Sequence, residues 1–323
     1  MVGSYLSRLL RLRGIEVDLY GAANGHTVCG IHPCAWGSSD GFHDHLRAAE
    51  TEPDDYILMR PERVNFEGVD LPATLITFDK PRLIRELQDG STVRTDPLNP
   101  GLYSRIVDAT GVKRAMLPKI EGDLIVPCVQ HRMRFKARDS SVVAIKYGDV
   151  GYSWSFPLSA TEFHIGGGSL TFDPRQMVPE SGLLGADGER ICGCSGAVRT
   201  SSPEMSTPFH VPGNGGHPEV VGVGESIGVV APIAGEGVAP GMASARILVE
   251  CWDDPGSYTA RILKEFRWMR SERGILDKIS AGGELGIQDW ITLRNTGRRM
   301  GAKVGIKDVM TLLGFLSNRR AGR

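Results

Sequence analysis

A chain of 323 residues with 41% hydrophobic and 23% charged residues is too long for one small domain and too apolar for disorder. Its formal net charge of -1 provides no general field for nucleic acid or an anionic membrane, and no apolar run reaches the roughly 18 residues that span a bilayer. Residues 1–6 lack the basic, apolar and small-residue segments of a signal peptide. Six cysteines in a chain this long are not a disulfide scaffold, so the expected setting is reducing and cytoplasmic.

The chain opens with leucines at 6, 9, 10 and 12 interleaved with Arg8, Arg11 and Arg13 and closed by Gly14, which predicts an amphipathic helix ended by a glycine. The alternating stretch 15–20 (IEVDLY) predicts a strand, and 21–45 reads as a loop. An amphipathic helix is expected at 78–87 and a strand at 104–109 running into Thr110-Gly111. Strands are expected at 129–135 and 141–146, and a hairpin at 152–158 and 162–165 turns around 159–161. A short buried strand at 220–224 leads through a glycine-punctuated turn into a helix at about 237–251, and the pattern from Ser257 onward is helical. The 41 glycines are densest between 151 and 241, as expected where backbone approaches a ligand or turns tightly.

Three pieces in chain order carry nucleotide chemistry. Gly3, Ser7 and Gly14 match the second half of the dinucleotide fingerprint, where a glycine lets the helix pack on a strand and the helix N-terminus, with Gly3 and Ser4, holds a pyrophosphate. The first strand and first two glycines of that fingerprint are absent from the sequence. Tyr20 and Gly21 stand where an acidic residue would bind the adenosine ribose. Val107-Asp108-Ala109-Thr110-Gly111 ends a strand in a turn, followed by Lys113-Arg114. Val221-Gly222-Val223-Gly224-Glu225, then Pro232 and Gly235-Glu236-Gly237, ends a buried strand in Gly-acidic and opens a helix of small residues. The acidic side chain suits sugar-alcohol hydroxyls, and the helix start suits a phosphate or a flavin carbonyl.

The last piece resembles the second flavin-contacting motif of the p-hydroxybenzoate-hydroxylase-like flavoproteins, usually Gly-Asp-Ala-Ala-Gly…Pro…Gly-Glu-Gly. Glu225 replaces the aspartate, moving the carboxylate by about 1.5 Å. Two further stretches narrow the likeness. Gly151-Tyr152-Ser153-Trp154-Ser155-Phe156-Pro157-Leu158 followed by Ile165-Gly166-Gly167-Gly168 resembles the hairpin of the geranylgeranyl reductases, and Cys29-Gly30-Ile31-His32-Pro33-Cys34-Ala35-Trp36-Gly37 resembles their cysteine loop. The resemblance covers most of the chain from Gly3 to Glu250. It implies an α/β fold: a discontinuous Rossmann-like FAD-binding domain (1–120 and 219–255), an inserted, mostly antiparallel substrate sheet (121–218) and a helical C-terminal segment (256–323). Gly3, Ser4, Gly111, Gly224, Glu225, Gly235, Glu236 and Gly237 would bind FAD. The implied reaction is reduction of carbon–carbon double bonds in an isoprenoid lipid, with a nicotinamide (NADPH), a deazaflavin or a ferredoxin as reductant. An isolated alkene is a poor hydride acceptor, so a proton donor must act with the hydride; Cys34, His32 and Tyr152 are the candidates, Cys34 foremost. Trp36, Trp154 and Phe156 would wall the prenyl chain, or simply pack between strands.

Other readings stay open. A flavin monooxygenase or halogenase of the same fold, or a non-catalytic relative, fits the same motifs. Cys192 and Cys194, alone or with Cys29 and Cys34, suggest a metal or redox site, against plain buried or turn cysteines. His43 and His45 flank Asp44, with Asp40 close by; an extended segment would put both imidazoles on one face for a metal, and a solvated loop would not. Residues 50–55 read as an acidic surface turn. The basic end (Arg319, Arg320, Arg323) suits anionic lipid headgroups, hence peripheral membrane contact, or a solvated tail.

Overall fold

A computed structural model describes residues 1–21, 34–39, 41–148, 150–305 and 308. The first helix, Val2–Leu12, buries Tyr5, Leu6, Leu9 and Leu10 and ends at Gly14 in the left-handed region (φ 74°), as its leucine spacing predicts; Leu12 instead faces outward. The strand after it is shorter than expected, Asp18–Tyr20, and pairs in parallel with Thr92–Arg94. A second parallel pair, Arg105–Asp108 with Glu219–Gly222, extends on its far side to His210–Val211. These two sets are separate sheets, with no strand joining them among the described residues.

The large sheet has seven strands in the order Glu189–Arg199, Ile125–Arg134, Glu162–Ser169, Gly151–Pro157, Val142–Tyr147, Arg63–Phe66 and Val69–Pro72. Its hairpin falls where the alternation of 152–158 and 162–165 places it. The edge hairpin 63–72 belongs to this sheet although it precedes residue 121 in the chain. A small three-stranded sheet joins Gly37–Ser38, Ile76–Phe78 and Ile57–Met59. The helix expected at 78–87 starts later, at Lys80–Gln88. Asp79 caps it by accepting the Arg82 N–H at 3.0 Å, and Phe78 is the last residue of a strand.

The stretch read as a loop to residue 45 contains that short strand and most of a helix, Gly41–Ala48, which buries Phe42 and Leu46. The acidic turn contains a short 3-10 segment, Pro53–Tyr56. The main core gathers Leu6, Leu9 and Leu10, Phe42, Phe78, Leu83 and Leu87, Met242 and Leu248, and Tyr258 and Ile262 from five helices and a strand. The C-terminal part is helical as expected: Pro255–Glu265, Trp268–Ser280 and Ile287–Arg299. No helix among the described residues is long and apolar enough to cross a membrane.

Candidate flavin site

Side chains alternate across a strand, so Tyr152, Trp154 and Phe156 share one face of the large sheet. Opposite them stand Gly168, Gly166 and His164, and beyond these Cys128, Gln130 and Arg132. The two glycines make room: a Cβ at Gly166 would lie 2.6 Å from the Trp154 ring, and one at Gly168 would lie 2.7 Å from Cys128 Sγ. The 34–39 segment lies on this face. Trp154 Nε1 donates to Gln130 Oε1 at 3.3 Å, and Gln130 Nε2 donates to the Cys34 carbonyl at 3.1 Å. Trp36 is 5% exposed and meets His164 edge-on at 4.6 Å, and the Phe156 ring sits where a Cβ on Gly37 would go. Cys34, Trp36, Tyr152, Trp154 and Phe156 therefore come together, while His32 lies outside the described residues. Trp154 also packs in a core with Val64, Val143 and Ile145, so wall and core are one surface.

The glycine turn meets the same face. The Tyr152 hydroxyl donates to the Ala234 carbonyl, and a Cβ at Gly235 (φ 66°) would lie 3.3 Å from it. Burial pushes the Tyr152 phenol well above its ordinary pKa. Glu236 receives the Ser38 hydroxyl on Oε1 at 3.1 Å, while Oε2 is buried with no partner among the described residues. Burial raises its pKa to about 7, against the opposing pull of Ser38 and of the Ala239 and Ser39 N–H groups. Behind the turn, Glu272 from the Trp268–Ser280 helix accepts the Ile233 N–H at 3.3 Å and the Thr296 hydroxyl at 2.5 Å. Gly237 caps the Val238–Glu250 helix.

On the nucleotide side, Gly3 packs against the end of the Arg105–Asp108 strand, where a Cβ would come within 3.1 Å of Ala109 Cβ. The Ser4 hydroxyl accepts from Gln88 Nε2 at 3.2 Å, so what it offers a ligand is the backbone N–H of the helix's first turn. Gly224 (φ 66°) and Gly111 (φ 64°) carry the two strand-end turns. Glu225 lies over Gly111, where a Cβ would come within 2.8 Å of Oε2. Its Oε1 accepts the Arg199 N–H at 2.8 Å, and burial raises its pKa. Asp108, fully buried, accepts from the Thr110 hydroxyl and from the N–H groups of Thr110, Met116 and Leu117 at 2.7–3.2 Å.

Sequence reasoning missed His164 and Gln130. His164 is fully buried, edge-on to the Trp36 ring and beside the Ala35 backbone. Burial takes its pKa down to about 3, so it is neutral. The signal available was its place two residues before Gly166 on a strand already assigned to the site. Cys192 is disulfide-bonded and Cys194 is a free thiol, so the two are not joined to each other, and Cys192 is not the plain buried or turn cysteine expected. Both lie on the Glu189–Arg199 strand. No cluster of His, Cys, Asp or Glu among the described residues could hold a metal. His43 and His45 sit on a helix, where two residues span about 200°, so they point apart; Cys29 and Asp40 lie outside the described residues.

Sheet, glycine turn and N-terminal helix together adopt a fold that solved flavoproteins share. Among solved structures, a geranylgeranyl bacteriochlorophyll reductase-like protein from Thermoplasma acidophilum superposes with a TM-score of 0.67 at 16% identity, over 96% of this chain and 92% of that one. A triple mutant of a flavin-dependent brominase gives 0.65 at 13%, over 99% and 97%. A flavoprotein/dehydrogenase from Cytophaga hutchinsonii gives 0.63 at 12%, over 93% and 90%. No family model and no curated protein matches the sequence.

Proposed function

We propose that the chain binds FAD and reduces carbon–carbon double bonds of an isoprenoid lipid. The observation that carries this reading is the docking of the Gly235-Glu236-Gly237 turn onto the aromatic face beside Cys34, through Tyr152–Ala234 and Glu236–Ser38. The residues fit a flavin. Two positive-φ glycine turns and the free N–H groups at the start of the Val2–Leu12 helix line one region of the molecule, where Val2 packs against Gly224. Gly3 and Ser4 would hold the pyrophosphate, Gly111, Gly224 and Glu225 the ribityl chain, and the 235–237 turn the ring. When bound, FAD supplies the hydride. Trp36, Trp154 and Phe156 exclude water and line the prenyl path, and the Gln130 bond fixes where Cys34 stands. The reductant is of the nicotinamide, deazaflavin or ferredoxin class, and the lipid is drawn from a membrane by peripheral contact.

The test is an absorbance spectrum after incubation with FAD and desalting, then anaerobic reoxidation of the reduced protein by geranylgeranyl lipids. Retained flavin bands and reoxidation are expected; a colourless protein would sink the reading. A halogenase is the second reading, supported by the superposition of a tryptophan 6-halogenase over 84% and of a flavin-dependent brominase over 100% of this chain. It predicts oxygen consumed in proportion to substrate, and halide incorporated.

A further inference from the structure

Two exposed apolar side chains stand one helical turn apart on the last described helix. Ile287 is 83% exposed, the most of any large apolar residue described, and Ile291 is 46% exposed. The helix, Ile287–Arg299, is anchored by its other side. Asp289 accepts from the Lys278 ammonium at 2.8 Å and from the Gly286 N–H at 2.9 Å, and Thr296 donates to the buried Glu272 at 2.5 Å. These anchors are seven residues apart, about two turns, so they share the inward face. A step of two residues turns about 200°, which puts Ile291 opposite Asp289 and Arg298 opposite Thr296. Ile287, Ile291, Arg294 and Arg298 therefore form one outward stripe, with half-buried Trp290 beside it.

That stripe is apolar at its start, cationic at its end and without an acidic residue. Asp289 pairs with Lys278 and Arg299 comes within 4.0 Å of Glu272, whereas Arg294 and Arg298 have no ion pair among the described residues. The surface thus suits a partner that is apolar and anionic side by side. Two isoleucines and a tryptophan edge fall well short of the roughly 800 Å² that each side of a stable protein interface buries. They are enough to dip one helical turn into the boundary of a bilayer, where Trp and Arg are both at home. The net charge of -1 attracts no anionic surface in general, so the charge that meets one has to be local, as it is here.

We infer that the outward stripe of the Ile287–Arg299 helix docks on a membrane containing anionic lipid. Ile287, Ile291 and the Trp290 edge enter the apolar boundary, and Arg294 and Arg298 lie against lipid phosphates. This names the contact through which a membrane lipid is reached, and for that purpose it rests on the reductase reading. The docked helix is tied to the flavin turn through one residue: Thr296 holds Glu272, and Glu272 accepts the Ile233 N–H beside Ala234 and Gly235.

The experiment floats the FAD-loaded full chain with phosphatidylcholine vesicles, with and without phosphatidylglycerol. Binding to the anionic vesicles is expected, and added salt should weaken it. The Ile287→Ser/Ile291→Ser double variant should bind roughly tenfold or more weakly. Arg298→Gln should lose about fivefold, on the anionic vesicles alone. Both variants should keep the flavin spectrum, which reports an intact fold. Tryptophan fluorescence should shift to the blue on binding, and Trp290→Phe should remove that shift, a readout independent of the other variants. A wild type that floats with neither vesicle overturns the docking surface. So does an isoleucine variant that floats like wild type, or one whose only change is the loss of a dimer. Reduction of detergent-dispersed isoprenoids without vesicle binding overturns docking alone. Vesicle binding that the isoleucine variant loses, with no isoprenoid reduced by the wild type, supports docking and overturns the reductase reading.

Discussion

The large antiparallel sheet and the nucleotide side are built differently. The sheet is held by long ladders: ten register pairs join Glu189–Arg199 to Ile125–Arg134, and seven more join Ile125–Arg134 to Glu162–Ser169. The nucleotide side has parallel strands of three or four residues in two separate sheets. Buried side chains bonded to backbone do the joining there. Asp108 ties the 110–117 turn. The Arg114 guanidinium reaches the carbonyls of Pro118, Ser226 and Pro208. Arg199 reaches those of Gly111, Val112 and Glu225 while pairing with Asp123. A ladder spreads its stability over many equivalent bonds, whereas a hub concentrates it in one charged group whose loss orphans several partners. The nucleotide side should therefore be the more sensitive to single substitutions and to pH.

Asp108→Ala should break that side most, because it leaves three N–H groups and a hydroxyl without their acceptor. A loss of at least ~3 kcal/mol is expected in denaturant unfolding, and a loss under ~1 kcal/mol would contradict the hub picture. In the ladder, the sensitive points are glycines rather than polar groups. Gly166→Ala drives a methyl into the Val129 carbonyl at 2.5 Å and the Trp154 ring at 2.6 Å, for about 1–3 kcal/mol. Gln130 should then also lose its hold on Cys34, read as a changed rate of thiol alkylation.

Glu272 sharpens the comparison through pH. Burial raises its carboxyl to about 6, so its folded pKa lies above the unfolded one. Its contribution is fully present below pH ~4.5 and is lost as pH rises through 6. Wild type should lose up to ~2 kcal/mol over that window from this group, and Glu272→Gln should flatten the slope. Asp123 behaves in the opposite sense. Burial opposes its ionisation, but the bonds from Arg199 and Ser201 outweigh it and hold the carboxyl below its ordinary value. That stability is present above pH ~4 and disappears as pH falls through the folded pKa. Ser201→Ala should cost about 1 kcal/mol at pH 7 and less at pH 3, measured by chemical denaturation at the two pH values.

The legible parts of the molecule share one property, a local pattern with a local cause. The first helix is written in its leucines and Gly14, the hairpin in the alternation around 159–161, and the glycine turn in its order of Gly, Glu and Pro. The Gly41–Ala48 helix was hidden because its apolar residues are only Phe42 and Leu46, among glycines and histidines that read as loop. The Glu189–Arg199 strand is hidden because Cys192-Gly193-Cys194 breaks the alternation of a strand, and the ladder it joins lies more than 50 residues earlier in the chain.

The site divides in the same way. From the sequence came the residues on the aromatic face and the turn that meets it, since both are contiguous motifs whose side-chain directions follow from strand period and turn chemistry. Only the tertiary structure brings Gln130 to Cys34, buries His164 against the Trp36 ring, turns Glu225 onto Gly111 and encloses Glu236 Oε2. Each of these depends on what packs against a side chain from a distant part of the chain: Ser38 and Glu236 stand 198 residues apart. Hydrogen-bond satisfaction and desolvation are properties of that enclosure, and no local stretch of sequence contains them.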